Sequence, residues 1–589
     1  MSVLSDGVFR IKDWRGLNEN AGGGAELPPG EAAEMRNFRV ASDGSLKLRP
    51  GYRVISGGAG FPDVRGVWTG TAAGRETVLA VSGGAVWELD TESGGSTRIP
   101  GTLTDAETHI FGFGGRVYFL NGYEYLVWDG EGAVAPVEGY RPLTYVSCSP
   151  AGGGVPLEAA NLLTGAVRVR FSPSAGTTTL KLGAGVASVD YIKPLSTGVD
   201  LAPGAYSFSD ASGVVTLSSA LSEGTDSVEV GYTFALSQRG EIEAMRYSEV
   251  YSGYTDNRVF LYGDGTNRTV YSGLDSAGNI RADYFPALGE MRLGVTNTAI
   301  TGMLRFGSKL YAFKRDGAFS VSASTTALED GRVIPALYAA PVSRTVGNDV
   351  PGFAETVVTR PRTLHGGGVY EWSSGTSGAA AHISRRVAET LSGMDLPAAR
   401  TFVDPYRHEY YIYDGEAAVV NNYLNDTWYA YSPFPAARLF LRGEKLYGVL
   451  TSGEAVGFSE QYRSDAGAAI PAVWRSGAFS FGRIGRAKYA SRVFVAMKPE
   501  PRSFLRVTVL TDRAADGCVS EIASGLADFG AAHFAHWSFG TNREPRTKRV
   551  RLPVRRMTYL RLVLSSDDEW SGATVREAAI RLRTAGETR

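Results

Sequence analysis

The chain has 589 residues, with 60 lysines and arginines against 61 aspartates and glutamates, so its formal net charge at pH 7 is −1. This balance argues against a protein that coats nucleic acid through its overall charge, although it leaves room for a local basic surface. Glycine supplies 73 residues and tyrosine 29, a combination typical of short strands joined by tight turns.

The sequence lacks the signals that usually mark several classes of protein. No long apolar run occurs, so the sequence predicts no membrane-spanning helix, and its first residues predict no secretory leader. Cys148 and Cys518 are too far apart in sequence to indicate a disulfide framework or a zinc site. Phosphate-loop and nucleophile-elbow motifs are missing, and His533 and His536 have no acidic or cysteine partner nearby. We predict no enzyme, no cofactor and no metal site.

Residues 1–60 form a distinct opening segment. An amphipathic stretch covers 31–38, and two short strands are predicted around 45–48 and 52–55. An N-terminal strand that pairs with the last unit of a circular fold removes an exposed sheet edge. We therefore predict that residues 1–60 act as an N-terminal arm with a closing strand.

A unit of apolar strand, tight turn and second apolar strand then recurs along the chain. Gly-Gly, Asp-Asn and Gly-Ser turns supply the positive φ angles that short hairpins need. The clearest copies are about 30–40 residues apart, as expected for four-stranded propeller blades. The copies lie at 78–89, 110–120, 254–264, 303–313, 363–372, 402–415 and 440–449. The fold class predicted is all-β, a β-propeller of about six to eight blades with seven the best count.

Two regions fall outside the repeat. Residues 146–236 are rich in Ser, Thr, Gly and Val with strand-like alternation, which predicts a β-sandwich inserted between propeller parts at 61–145 and 237–464. Residues 465–589 predict a second, C-terminal β-sandwich.

A basic segment lies in this C-terminal region. An alternating strand face that pairs with acidic neighbours would explain it, and so would a patch that meets nucleic-acid phosphates or an acidic partner. Tyr559 is the only aromatic residue interleaved with the cations, which argues against base stacking. The candidate contact residues are Arg543, Arg546, Lys548, Arg549, Arg551, Arg555 and Arg556.

The N-terminal residues resemble the start of tail and head-completion proteins of tailed bacteriophages, the tail nozzle or hub type. The resemblance covers about 45 residues and no motif inside the repeats. It rests on the runs Phe9-Arg10-Ile11, Trp14-Arg15-Gly16-Leu17-Asn18, Leu27-Pro28-Pro29-Gly30-Glu31-Ala32, Met35-Arg36-Asn37-Phe38 and Asp43-Gly44-Ser45-Leu46-Lys47-Leu48-Arg49-Pro50-Gly51-Tyr52.

The resemblance implies a structural virion protein. Such proteins form a homo-oligomeric ring, usually of about six copies, below the portal and its adaptor protein. They line or gate the exit channel for the double-stranded DNA genome and dock tail fibres or tailspikes. The implied location is the virion tail, after assembly in the host bacterial cytoplasm.

Two other functions stay open. One is a carbohydrate-binding or receptor-binding β-propeller, in which loop aromatics such as those of Trp428-Tyr429-Ala430-Tyr431 would stack on sugar rings. The other is a cellular propeller scaffold. The sequence contains no Asp-box repeat of the sialidase kind, which argues against the first alternative.

Overall fold

The computed structural model describes residues 5–20, 27–55, 60–235, 238–252, 257–327, 333–374, 380–482, 486–498, 500, 502–525 and 546–587. The protein is all-β, as predicted, with 54% strand and 4% helix. Arg543 and the histidines His533 and His536 lie outside the described residues.

Six short strands make up the N-terminal segment. They are β1 Ser5–Ile11, β2 Gly16–Leu17, β3 Glu31–Arg36, β4 Phe38–Val40, β5 Leu46–Leu48 and β6 Gly51–Val54. None of them forms a sheet with this segment alone, because each sheet they enter also contains strands from later in the chain.

Two four-stranded antiparallel sheets follow, which we call sheets 1 and 2. Sheet 1 consists of β7 Gly66–Ala72, β8 Arg75–Ser82, β9 Ala85–Leu89 and β10 Ser96–Ile99. Sheet 2 consists of β11 His109–Phe113, β12 Arg116–Leu120, β13 Tyr125–Trp128 and β14 Ala135–Pro136.

An inserted module comes next, with a five-stranded and a three-stranded sheet around its own apolar core. Its strands are β15 Leu143–Cys148, β16 Val155–Pro156, β17 Ala166–Phe171, β18 Thr179–Lys181, β19 Val186–Pro194, β20 Tyr206–Ser209, β21 Val214–Leu217 and β22 Val228–Phe234. A short helix, α1 Arg239–Glu243, leads back to the repeated sheets.

Sheets 3 to 5 are again four-stranded and antiparallel. Sheet 3 has β23 Tyr247–Ser252, β24 Asn257–Tyr262, β25 Arg268–Tyr271 and β26 Glu290–Arg292. Sheet 4 has β27 Ile300–Phe306, β28 Lys309–Lys314, β29 Gly317–Ala327 and β30 Val333–Ser343. Sheet 5 has β31 Glu355–Val357, β32 Arg360–His365, β33 Gly368–Trp372 and β34 Ala380–His382, and helix α2 Ala388–Ser392 follows it.

Sheets 6 and 7 join the repeated part to the N-terminal segment. Sheet 6 has β35 Arg400–Asp404, β36 Glu409–Tyr413, β37 Ala418–Asn422 and β38 Thr427–Tyr431. Sheet 7 has β39 Ala436–Arg442, β40 Lys445–Leu450 and β41 Ala455–Ser459. Its fourth strand is β6, which pairs with β41 in antiparallel register.

The first strands of these seven described sheets contact one another in cyclic order, from β7 through β11, β23, β27, β31 and β35 to β39, which returns to β7. Each of the seven sequence repeats lies in a different sheet. Because the strand that completes sheet 7 comes from the N-terminus, the two ends of the circle are held together by a backbone ladder.

The C-terminal module is a pair of facing sheets. Its strands are β42 Ser464–Asp465, β43 Ala468–Ala469, β44 Ala472–Ser476, β45 Arg486–Met497, β46 Arg502–Thr511, β47 Ala514–Gly525, β48 Arg546–Met557, β49 Leu560–Ser566 and β50 Thr574–Glu587, of which β42 and β43 extend sheet 7. Strands β45, β48 and β50 form one layer, and β44, β46, β47 and β49 the other. Alternate residues such as Val493, Leu505 and Leu562 are fully buried between the layers.

Candidate functional site

The N-terminal segment joins the ring of sheets to the C-terminal module. Strand β1 pairs with β50, β3 pairs with β44, and β6 pairs with β41. Trp14 stands edge-on to Trp474 with ring centroids 4.8 Å apart, and its indole N–H donates to the Arg576 carbonyl at 3.2 Å. These contacts fix the segment to both bodies at once.

Asn37 and Arg49 occupy the centre of this junction. The Asn37 amide donates to the carbonyls of Ser432, at 2.5 Å, and Pro471, at 2.7 Å. The Arg49 side chain has no exposed area, donates from Nη1 to Asp465 Oδ1 at 3.0 Å and donates from Nε to Asn37 Oδ1 at 2.9 Å. Both residues belong to the runs that carry the family resemblance, so those runs have a structural task here.

A second charged network lies beside them. Buried Glu409 accepts hydrogen bonds from the hydroxyls of Tyr411, at 2.5 Å, and Tyr429, at 2.7 Å. Arg39 forms ion pairs with both Glu409 and Glu460. Burial alone would raise the pKa of Glu460, but the positive charge of Arg39 and a hydrogen bond from Lys47 lower it to about 2.

A polar groove of about 610 Å³ opens next to this network, between sheet 6, strands β4 and β5, and the C-terminal module. Its rim carries two exposed side chains, Tyr406 at 52% and Leu424 at 65% of their full accessibility. Arg463 and Glu500 form an ion pair of 2.6 Å inside it. Sites at the boundary between modules are frequent ligand sites in proteins.

Two carboxylates interact inside the ring of sheets. Glu249 lies on β23 and Glu355 on β31, the first strands of sheets 3 and 5. Burial and then repulsion by Glu355 raise the pKa of Glu249 to about 7, against the attraction of Arg305. Burial likewise raises the pKa of Glu355 to about 7. Sheet 4 lies between these two sheets in the cyclic order, and its first strand β27 contacts both β23 and β31.

The predicted basic residues divide between two sides of strand β48. Val550, Leu552 and Val554 are buried, whereas Arg549, Arg551 and Arg555 alternate with them and are exposed. These three arginines therefore project from the outward face of the layer formed by β48, β45 and β50, which we call the cationic face.

Other predicted members do not join this face. Lys548 stands opposite buried Val495, on the inward side of the strand. Arg556 has a φ of 56° at a register irregularity, and its carbonyl accepts a hydrogen bond from Arg513 at 3.2 Å. Arg546 begins the strand opposite Met497, where the structure describes its backbone only. Lys548 and Arg556 therefore do not extend the exposed row of Arg549, Arg551 and Arg555, because the strand alternates and then bulges.

Sequence reasoning missed four cations that complete the cationic face. Arg492 of β45 stands directly opposite Arg551 on one side and Arg581 of β50 on the other. Arg583 and Arg10 occupy the same outward positions on β50 and on β1. The alternation Ile580-Arg581-Leu582-Arg583 was a usable signal, but a single sequence does not reveal which distant strands become neighbours.

The aromatic run proposed for sugar stacking is not on a loop. Trp428, Tyr429 and Tyr431 belong to strand β38 and are buried at 1%, 0% and 1% exposure. That expectation was wrong, because these rings fill the core around Glu409 and are closed to a ligand.

The described residues contain no group of three or more His, Cys, Asp or Glu side chains that could hold a metal ion. None of their helices is long and apolar enough to cross a membrane.

Comparisons with known proteins give weak similarity. No family model and no curated protein matches the chain. Among solved structures, an exo-β-1,3-galactanase from Phanerochaete chrysosporium is 8% identical with a TM-score of 0.22, covering 91% of this chain and 100% of that one. Apo AztD from Citrobacter koseri is 11% identical with a TM-score of 0.24, covering 73% and 95%. The extracellular domain of a putative one-component system from B. thetaiotaomicron is 10% identical with a TM-score of 0.19, covering 87% and 84%. TM-scores of this size carry no argument about fold or activity.

Proposed function

We propose that this chain is a structural virion protein of a tailed bacteriophage, built as a seven-bladed β-propeller with an inserted and a C-terminal β-sandwich. About six copies would form a ring below the portal and its adaptor protein. The ring would line or gate the path of the double-stranded DNA genome and dock tail fibres or tailspikes. In this proposal the chain catalyses no reaction, and it enters the virion tail after assembly in the host cytoplasm.

One observation carries the proposal. The residues that resemble phage tail proteins, among them Trp14, Asn37 and Arg49, tie the ring of sheets to the C-terminal module through buried and partly buried hydrogen bonds. A junction of this kind, with strands shared between the two bodies, suits a protein that transmits load within a larger assembly.

An amber mutation in the gene, carried by the phage that encodes it, tests this role. We expect filled heads that lack complete tails and do not infect, with infectivity restored when a plasmid supplies the wild-type chain. Full infectivity of particles that lack the chain would contradict the proposal.

A carbohydrate-binding or receptor-binding protein is the second candidate. The polar groove favours it, because exposed Tyr406 offers a flat ring beside hydrogen-bonding side chains such as Asn422 and Asn425. A glycan array with the purified chain tests it. Binding that Tyr406→Ala removes and that Tyr123→Ala leaves intact would support this function, since Tyr123 is similarly exposed, at 58%, but lies between β12 and β13 of sheet 2, away from the groove.

A further inference from the structure

The cationic face contains a row of three arginines in direct cross-strand register. Arg551 of β48, Arg492 of β45 and Arg581 of β50 stand side by side on adjacent strands. Like charges placed directly opposite one another destabilise a sheet. Binding of an external anion at Arg551 and Arg492 would relieve the repulsion between these two side chains.

Four arginines of the cationic face stand apart from the described carboxylates of the module. Among the described residues, no carboxylate lies within ion-pair distance of Arg492, Arg549, Arg551 or Arg555. Glu577 shares the outward face but pairs with Arg10 at 3.6 Å, at the margin. Asp6 occupies the register position opposite Arg583, also at the margin. The centre of the face is therefore a concentrated positive surface on a chain whose net charge is −1.

The shape and residue types of the face indicate the ligand. All the cations are arginines, whose planar guanidinium groups bind phosphate oxygens in a bidentate manner. Neighbouring arginines on adjacent strands are separated by the strand spacing of about 4.8 Å. Along β48, every second residue is about 6.8 Å from the last. The aromatic residues in the same rows, Phe494 and Tyr489, are half-buried and offer no open ring for stacking a base.

The geometry points to the cationic face as a binding surface for the phosphate backbone of double-stranded nucleic acid, without base readout. The proposed function brings double-stranded DNA near the chain, and this inference names the surface that contacts it. The inference rests on the proposed function only in naming DNA, and not double-stranded RNA, as the duplex. About four phosphates fit the span from Arg549 to Arg555 and across to Arg492.

Fluorescence anisotropy of a labelled 20-base-pair duplex, titrated with the purified full-length chain from 25 to 200 mM salt, tests the inference. We expect the chain to bind the duplex. A plot of the logarithm of the association constant against the logarithm of the salt concentration should have a slope of about −4. The double variant Arg549→Glu and Arg551→Glu should reduce the slope to about −2 and weaken binding at 50 mM salt at least about tenfold.

The matched control is Arg98→Glu with Arg344→Glu, two exposed arginines on sheet 1 and after sheet 4. It changes the net charge by the same amount, so its affinity should stay within about twofold of the wild type if the face is specific. Thermal melts of both variants confirm that each is folded.

Three outcomes would overturn the inference: no duplex binding at 25 mM salt, equal losses in the two double variants, or binding of poly-glutamate but not of the duplex. The last result would identify an acidic protein surface as the partner. Because the experiment uses the isolated chain, each of these failures would leave the virion role to be judged by the particle experiments.

Discussion

Arg49 and Asp465 form an ion pair enclosed within the junction, with 0% and 8% of their side-chain surfaces exposed. Removal of one partner of a buried pair leaves an uncompensated charge, which costs about 3–5 kcal/mol. We therefore expect Asp465→Ala to lower the free energy of unfolding by about this amount in urea denaturation.

The exposed pair between Arg75 and Glu88 supplies the control for that variant. Arg75 is 57% exposed, and ion pairs in water contribute about 0–1 kcal/mol. Glu88→Ala should therefore cost less than about 1 kcal/mol. Equal losses in the two variants would show that the junction does not depend on the buried charge of Arg49.

Glu249 and Glu355 make stability depend on pH in a defined direction. Their pKa values rise from 4.5 to about 7 on folding, so between these values the folded chain binds more protons than the unfolded chain. The contribution of these groups to stability is therefore greatest below pH 4.5, declines as the pH rises to about 7, and is constant above it.

Measurement of the melting temperature of Glu355→Gln and of the wild type from pH 5 to pH 8 checks this dependence. Burial lowers the pKa of His109 to about 4, which changes stability in the opposite direction below pH 6.5, so the informative quantity is the difference between the two proteins. We expect the melting temperature of Glu355→Gln to increase relative to that of the wild type as the pH rises. Parallel curves would contradict the assignment.

At the scale of elements, the N-terminal segment ties late parts of the chain together, because β6 pairs with β41, β3 with β44 and β1 with β50. A protease site inserted after Asp63, an exposed residue between β6 and β7, allows the segment to be cut from the rest of the chain after folding. We expect the fragment to remain bound on gel filtration and to separate only in denaturant, because β1, β3 and β6 each retain a backbone ladder.

The same cleavage in a Trp14→Ala chain sharpens that test. Trp14 is 4% exposed, and truncation of a buried tryptophan costs about 3–5 kcal/mol. The cut fragment should then dissociate at a lower denaturant concentration. Release of the wild-type fragment in native buffer would show that the ladders do not hold the segment.

Strand patterns explain what the sequence could and could not reveal about elements. Gly-Gly turns at positions 83–84, 114–115 and 366–367 have positive φ at both glycines, as tight hairpins require, so the repeated units were detectable locally. The alternation along β48 likewise indicated an exposed cationic side. The partners of β48 were not detectable, because pairing with β45 and β50 depends on contacts between residues remote in sequence.

Over the whole molecule, composition and turn chemistry were enough to predict an all-β protein, which is confirmed. They were not enough to predict the position of the cationic face, since Arg10, Arg492 and Arg581 come from three separate parts of the chain. Trp428 and Tyr431 were expected on an exposed loop but are buried. A short run of aromatic residues looks the same in sequence whether it lies at a surface or inside a core.

The central claim is that the chain is a ring-forming part of a phage tail, and its copy number in particles tests that claim most directly. Quantitative mass spectrometry on gradient-purified particles, scaled to the portal protein, measures it. A tail ring predicts about half the molar amount of the portal. Absence of the chain from particles, together with its presence in the soluble lysate, would contradict the claim and leave the polar groove as the site to examine.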